Sequence, residues 1–170
     1  MPAPLRILYL ISLLSTIICG SVYIATFFGY ADLSVIWFVL FLFILWPMVV
    51  WQWRRVPRCN LVSEIFGQVP LWMKITTVAL ILFIFINYLV NSSLIYGAQP
   101  IKLDDERLVL RKGELILRVL TPGEYAWAQA VQMRILAGHL VAFYGLAVIA
   151  LRAFWIKTGP AMADAKVTGN

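Results

Sequence analysis

The sequence predicts an all-α integral membrane protein: a helical bundle of four transmembrane helices, with a short β-hairpin inserted between spans three and four. Three observations predict it. Hydrophobic residues make up 62% of the 170 residues and charged residues 13%, against roughly 45–50% and 25% in an average soluble domain. The apolar residues are concentrated in long runs almost free of charge, the pattern of bilayer spans rather than of one large core. The basic residues gather at the edges of those runs, where they set orientation and meet anionic headgroups. The net charge of +6 therefore speaks for a lipid surface and against nucleic acid, because no basic stripe lies on a soluble domain. Residues 1–170 read as a single integral membrane domain.

Span one is expected over residues 7–28. This run is long for a signal-peptide core and no small-x-small site closes it, so it reads as an uncleaved span. The residues before Cys19 also lack the small residue of a lipoprotein signal. Ser12, Ser15, Thr16, Cys19, Gly20 and Tyr23 recur at intervals of three and four and so share one helix stripe. Small, weakly polar residues allow close helix approach in lipid; the same stripe could also line a solute path.

After a tight connection at Gly29–Asp32, span two is expected over residues 33–53. Pro47 removes one backbone donor and predicts a kink. Trp51, Trp53, Arg54 and Arg55 mark a water interface. In the connection that follows, Asn60 could cap a short amphipathic piece carrying Leu61, Val62, Ile65 and Phe66, ending at Gly67. Cys59 lies there, at a different depth from Cys19, which argues against a mutual disulfide. Pro70 suits the first turn of the next helix.

Span three is expected over residues 71–96. Asn87 and Asn91 are four apart and share a face. Each should find a hydrogen-bond partner on another span, since an unpaired amide in hydrocarbon is costly.

Residues 98–120 form the one substantial water-facing segment. The runs 107–111 and 114–118 flank Lys112-Gly113 and predict a β-hairpin with glycine in the turn. Placing Arg111 opposite Glu114 puts Leu108, Leu110, Leu115 and Leu117 on one face. An isolated hairpin is marginal in water, so that face should cover the bundle end, lipid or a partner. Asp104, Asp105 and Glu106 read as a solvated turn. Thr121-Pro-Gly-Glu124 is a capping-box pattern, and it opens a helix expected over residues 122–156 whose inner part, residues 134–156, is span four. Residues 157–170 read as a polar tail.

Orientation follows from lysine and arginine in short connections. Arg6, Arg54, Arg55, Arg58, Lys74, Arg152, Lys157 and Lys166 favour both termini on the cytoplasmic side. Lys102, Arg107, Arg111, Lys112 and Arg118 lie in the hairpin segment, on the opposite side.

His139 is the single histidine. Ionisable groups inside spans are functional candidates, and His139 could ligate a tetrapyrrole, move a proton or bond to Asn87 or Asn91; a structural hydrogen bond is the plainer reading. Asn87, Asn91, Arg134 and Tyr144 form a candidate polar network, with Arg134 free to snorkel outward or pair with Glu124 or a hairpin acid. Ala126, Ala130, Gly138 and Ala142 recur every four residues, interrupted by Arg134, as a small-residue packing seam. No acidic residue lies in any predicted span, which disfavours proton- or sodium-coupled transport. No metal-type spacing, phosphate loop, serine elbow or paired catalytic carboxylates occur, so the sequence offers no catalytic residues.

Gly113, Leu120, Thr121, Glu124, Tyr125, Arg134, Gly138, His139, Phe143 and Tyr144, with the Val-Pro-Leu-Trp-Met-Lys segment at 69–74, make up a recognisable set. It resembles a pattern in small, uncharacterised bacterial four-span membrane proteins: a short hairpin, Leu-Thr-x-x-Glu-Tyr, arginine, then Gly-His with Phe-Tyr four residues on. Leu140 stands where that pattern carries tryptophan. The resemblance implies a four-span architecture in a bacterial cytoplasmic (inner) membrane and no known activity. The residues themselves leave three readings. The first is a non-catalytic accessory or interaction subunit that engages other membrane chains or its own copies. The second is a tetrapyrrole- or quinone-associated redox or photosynthetic subunit centred on His139. The third is a small oligomeric channel or carrier using the span-one stripe.

Overall fold

The computed structural model describes residues 3–31, 36–54 and 69–167. In chain order it contains helix α1 (Ala3–Ala25), which closes in a single 3-10 turn (Thr26–Phe28), then α2 (Ile36–Arg54) and α3 (Leu71–Leu94). Strands β1 (Gln99–Lys102), β2 (Leu108–Lys112) and β3 (Leu115–Val119) follow, and the long helix α4 (Pro122–Val167) comes last. The amphipathic piece expected at 60–67, and Cys59 beside it, lie outside the described residues.

Three helices are long and apolar enough to cross a membrane: Ala3–Phe28, Leu71–Leu94 and Pro122–Ile156. The apolar part of α2, Trp37–Trp51, is shorter. At 1.5 Å per residue it covers about 22 Å of a hydrocarbon layer about 30 Å thick. Pro47 sits inside α2 without ending it.

Helix α4 is the hub. Half of its most apolar window is buried, against 22% for α1 and 17% for α3. Both α1 and α3 pack along it extensively and α2 more lightly. The reason lies in composition. Ala130, Ala137, Ala142, Ala147, Ala150 and Ala153 of α4 are all buried, and side chains this small let three neighbours approach one backbone closely. On α1 the buried residues are Leu5, Leu8, Ser12, Ser15 and Cys19, spaced by three and four and therefore on one stripe. The opposite faces carry exposed leucine, isoleucine and phenylalanine, as expected where hydrocarbon is the solvent. Helix α1 closes at Gly29, whose φ of 83° is the left-handed cap conformation; its N–H donates to Thr26 O at 3.2 Å. This is a position glycine adopts at low cost.

Helix α4 begins with the predicted capping box. Glu124 Oε2 accepts from the Thr121 N–H at 2.8 Å and from Thr121 Oγ1 at 3.0 Å, and Thr121 Oγ1 accepts from the Glu124 N–H at 3.3 Å. At its other end the backbone stays helical to Val167, past the expected end at Ile156 and through Gly159 and Pro160.

The segment expected to face water is a three-stranded antiparallel meander, β1-β2-β3, rather than a two-stranded hairpin. Strand β1 was not predicted because Gln99-Pro100-Ile101-Lys102 is short and contains proline; it serves as an edge strand, where proline is tolerated. The β2–β3 register also differs from the sequence reading. Lys112 pairs with Leu115 and Arg111 with Ile116, and an irregularity falls at Leu110/Arg111. Gly113 takes the first central turn position with φ 59° while Glu114 keeps φ negative, the pattern of a two-residue turn with glycine first. That turn absorbs Glu114, so Arg111 cannot oppose it. Leu108 and Leu110 pack with Ile95, Ala98, Leu120, Ala128 and Val131 under the sheet, whereas Leu115 and Leu117 stand exposed.

The β1–β2 turn is held by Arg107. Its Nε donates to Asp105 Oδ2 at 2.6 Å and its N–H to Asp105 Oδ1 at 3.2 Å. The side-chain bond from Arg107 is the main influence holding the Asp105 carboxyl below its ordinary range. Lys102 lies 3.6 Å from Glu106. Two of the three adjacent acids are thus engaged by neighbouring cations in the turn.

Candidate functional site

The polar side chains of the helices meet where the ends of α1 and α3 reach α4. Asn87 approaches because Gly138 has no side chain: a Cβ on Gly138 would stand 2.4 Å from Asn87 Nδ2 and 2.7 Å from its Cγ. Asn87 Nδ2 donates to Ile135 O at 3.2 Å and to Arg134 O at 3.5 Å, and its Oδ1 accepts from Asn91 Nδ2 at 2.9 Å. Asn91 Nδ2 also donates to Asn87 O at 2.8 Å. Two buried amides spaced one turn apart therefore satisfy each other and the neighbouring helix, which lipid could not do. Seven residues along, Gly145 repeats the close approach, with Leu80 Cδ1 3.0 Å from where its Cβ would stand.

Arg134 ties this seam to α1. Its Nε donates to Thr26 Oγ1 at 3.1 Å, Nη2 to Thr26 O at 3.0 Å and Nη1 to Asn91 Oδ1 at 3.4 Å. The guanidinium carbon lies 3.8 Å from the centre of the Phe27 ring, close enough for a cation–π contact. Among the described residues no carboxylate lies within ion-pair distance of it. Glu124, the partner considered from sequence, instead bridges Arg118 at 2.8 Å. Arg134 thus turns inward onto neutral acceptors. Arginine suits this role because its planar fork reaches two groups on Thr26 and a third on Asn91 at once.

His139 lies one turn further along α4. Its Nδ1 is 2.7 Å from Ile135 O; a carbonyl can only accept, so Nδ1 carries the hydrogen of this bond. The imidazole meets the Tyr88 ring edge-on, with centroids 6.3 Å apart. It does not bond to Asn87 or Asn91, although Asn87 and His139 share one acceptor, Ile135 O. Tyr144 is fully buried but belongs elsewhere: its hydroxyl donates to Phe38 O at 2.6 Å, and its ring lies among Phe38 and Phe41 of α2.

The remaining candidates fall as follows. Ser12, Ser15 and Cys19 are buried against α4, with Thr16 and Gly20 at the border of that contact. Ser12 and Thr16 return their hydroxyls to carbonyls of their own helix, Leu8 O and Ser12 O, both at 2.8 Å. Ala130, Gly138 and Ala142 are buried, whereas Ala126 is exposed on the first turns of α4. An apolar groove of about 410 Å³ between α2 and α4 is lined by Leu42, Phe43, Trp46, Pro47 and Phe143; its walls suit acyl chains. Sequence reasoning missed Thr26, the principal partner of Arg134, because a lone threonine beside Phe27 and Phe28 carries no spacing signal. It missed Gly145 because that glycine is out of step with the four-residue seam.

No family model, curated protein or solved structure matches the chain.

The Gly138–Asn87 contact generates a quantitative expectation. Gly138→Ala should destabilise the protein by about 1–3 kcal/mol, the usual result of overpacking. In an Asn87→Ala background the same change should be distinctly milder, because the obstructing amide is gone. Thermal unfolding in detergent of the four proteins of this cycle measures the difference.

Proposed function

We propose that the chain crosses a bacterial inner membrane four times, with α2 as the additional span and both ends cytoplasmic, and acts as a non-catalytic accessory subunit of a larger membrane assembly. The observation that carries this reading is strand β3. All five of its residues are exposed, and β2 pairs with it along one edge while its other edge faces no strand of the described sheet. Leu115, Ile116, Leu117 and Val119 are all large and apolar, and Arg118 is the single charge. Edge strands of soluble proteins are normally blunted by proline, bulges or several charges; β3 has no proline and one charge, and its one irregularity, where the register skips Leu117, leaves the rest of the edge apolar. A free apolar edge outside the helices suits the addition of a strand from another chain, in which backbone hydrogen bonds give affinity and alternate side chains give specificity. The polar cluster supports the same reading from the other side. Its amides and guanidinium are engaged in joining α1, α3 and α4, which leaves them structural work rather than chemistry.

One observation favours a second reading. The Nδ1–H of His139 is held by a backbone carbonyl, the second-shell arrangement that orients metal-ligating histidines. Nε2 could then give one axial bond to a tetrapyrrole. No observation favours a solute path along α1, whose serine and threonine hydroxyls are turned onto their own helix or packed against α4.

Two measurements separate these readings. A photo-crosslinking residue at Ile116, activated in native membranes, should give one discrete adduct that disappears in Val119→Pro, which removes an outer-edge donor: the Leu120 N–H is spent inward on Leu108 O, so by alternation the Val119 N–H faces the free edge. A residue at Asp104, on the opposite turn, should give none. Absence of any adduct at Ile116 would contradict the subunit reading, and an adduct of twice the chain mass would identify the partner as a second copy. The same protein, gently purified, should show no visible absorption band; a band abolished by His139→Ala would replace the first reading with the second.

A further inference from the structure

We propose that the cavity between the sheet and the end of α3 binds the phosphate group of an anionic phospholipid, with Lys112 and Arg118 as its cationic contacts. The cavity has a volume of about 400 Å³ and is lined by Tyr96, Leu110, Lys112, Leu117 and Arg118. Its chemistry is mixed in a particular way. Two cations and a phenol supply the polar contacts, while two leucines provide apolar wall. A soluble anion has no use for the leucines, and an acyl chain has no use for the cations. A phosphodiester with hydrocarbon attached uses both.

Position supports the same ligand. Helix α3 has 24 residues and is about 36 Å long, longer than a hydrocarbon layer about 30 Å thick. Its end at Leu94 therefore emerges among headgroups, and Tyr96 follows two residues later. Tyrosine is a favoured residue at that depth. Lys112 reaches back over the same helix end: its Nζ lies 3.6 Å from where a Cβ on Gly97 would stand, and Ser92 Oγ lies 3.7 Å from the same point.

Charge is left over for a ligand. Arg118 bridges Glu124 at 2.8 Å, but Lys112 makes no ion pair among the described residues. The pocket therefore keeps a net positive charge. Lysine serves as a movable point charge and arginine as a fixed fork, a combination suited to phosphate oxygens.

The backbone is shaped to place Tyr96 there. Tyr96 has φ 55° and Gly97 φ 65°, two successive left-handed residues, and a bulky side chain rarely adopts that conformation. The turn is held by the Gly97 N–H donating to Ser92 O at 2.8 Å and the Ala98 N–H donating to Ile95 O at 2.9 Å. Glycine satisfies its own position at no steric cost, but nothing local requires tyrosine at the one before it. Placement of an exposed phenol at the cavity mouth accounts for the residue.

The cavity shares Leu117 and Arg118 with β3, but a partner strand would engage the backbone at the outer edge of β3, and Lys112, on β2, belongs to the cavity alone. The test uses the full chain in nanodiscs containing equal phosphatidylglycerol and phosphatidylcholine, with retained lipids read by native mass spectrometry. The wild-type protein should retain phosphatidylglycerol preferentially. Lys112→Gln should lower that preference roughly fivefold, and Lys112→Gln/Arg118→Gln by on the order of twentyfold, the increments expected for surface cations and anionic lipid. Lys112→Arg should keep it. Both positions are exposed, so the variants should fold, and circular dichroism checks this. An unchanged lipid ratio in the double variant would overturn the proposal. So would a loss in Lys112→Arg equal to that in Lys112→Gln, which would make the effect one of shape. Displacement of phosphatidylglycerol by millimolar inorganic phosphate would assign the cavity to a soluble anion instead.

Discussion

Hydrocarbon cannot hydrogen-bond, so each polar group carried into a membrane helix needs a partner within the protein. Arg134 is the strongest case in this chain, because it brings a full charge. Its three hydrogen bonds go to a threonine hydroxyl, a threonine carbonyl and an asparagine oxygen, with a phenylalanine ring alongside. These partners come from the end of α1 and from α3. The guanidinium therefore fixes three elements relative to one another, and an uncompensated half-buried charge would result if any of them moved away. The close packing of Gly138 on Asn87 and of Gly145 on Leu80 follows from the same placement, since it requires α3 to lie in register against α4.

The arrangement explains a division of labour along α4. Its middle is rich in small residues and receives α1 and α3, while its first turns extend past the helix ends and carry the sheet. The sheet's inner leucines are spent on that contact. What remains outside is an apolar edge strand and a cationic cavity, both at the sheet end of the molecule. Interaction chemistry is thus concentrated away from the polar cluster, whose groups are already engaged with one another.

Much of the helical architecture was legible because apolar runs and their charged borders are strong signals. The stripe on α1 was visible in the spacing of Ser12, Ser15 and Cys19, and the capping box at Thr121 and Glu124 announced the start of α4. Other features depend on contacts that sequence spacing does not encode. The apolar part of α2 looks like a span in the sequence, yet among the described residues it is the shortest of the four apolar helical stretches. Strand β1 was hidden by Pro100, which reads as a breaker but is allowed at a sheet edge. The β2–β3 register turned on whether Lys112-Gly113 or Gly113-Glu114 forms the turn, a shift of one residue. The polar network was half visible: Asn87 and Asn91 announced themselves by periodicity, whereas the partnership of Arg134 with Thr26 joins residues 108 apart in sequence. Tyr144 was grouped with that network because it is polar and nearby in sequence, but helix geometry turns it toward α2.

The anchoring of α1 to α4 through Arg134 is the claim on which the rest stands, and a double-mutant cycle of Arg134→Gln and Thr26→Val tests it most directly. Measured by unfolding in detergent, the two changes should be coupled by about 1–3 kcal/mol, the usual worth of a hydrogen bond to a charged group. Effects that simply add, within about 0.5 kcal/mol, would mean that the Thr26 hydroxyl does not hold the guanidinium and would contradict this account of how α1 is anchored.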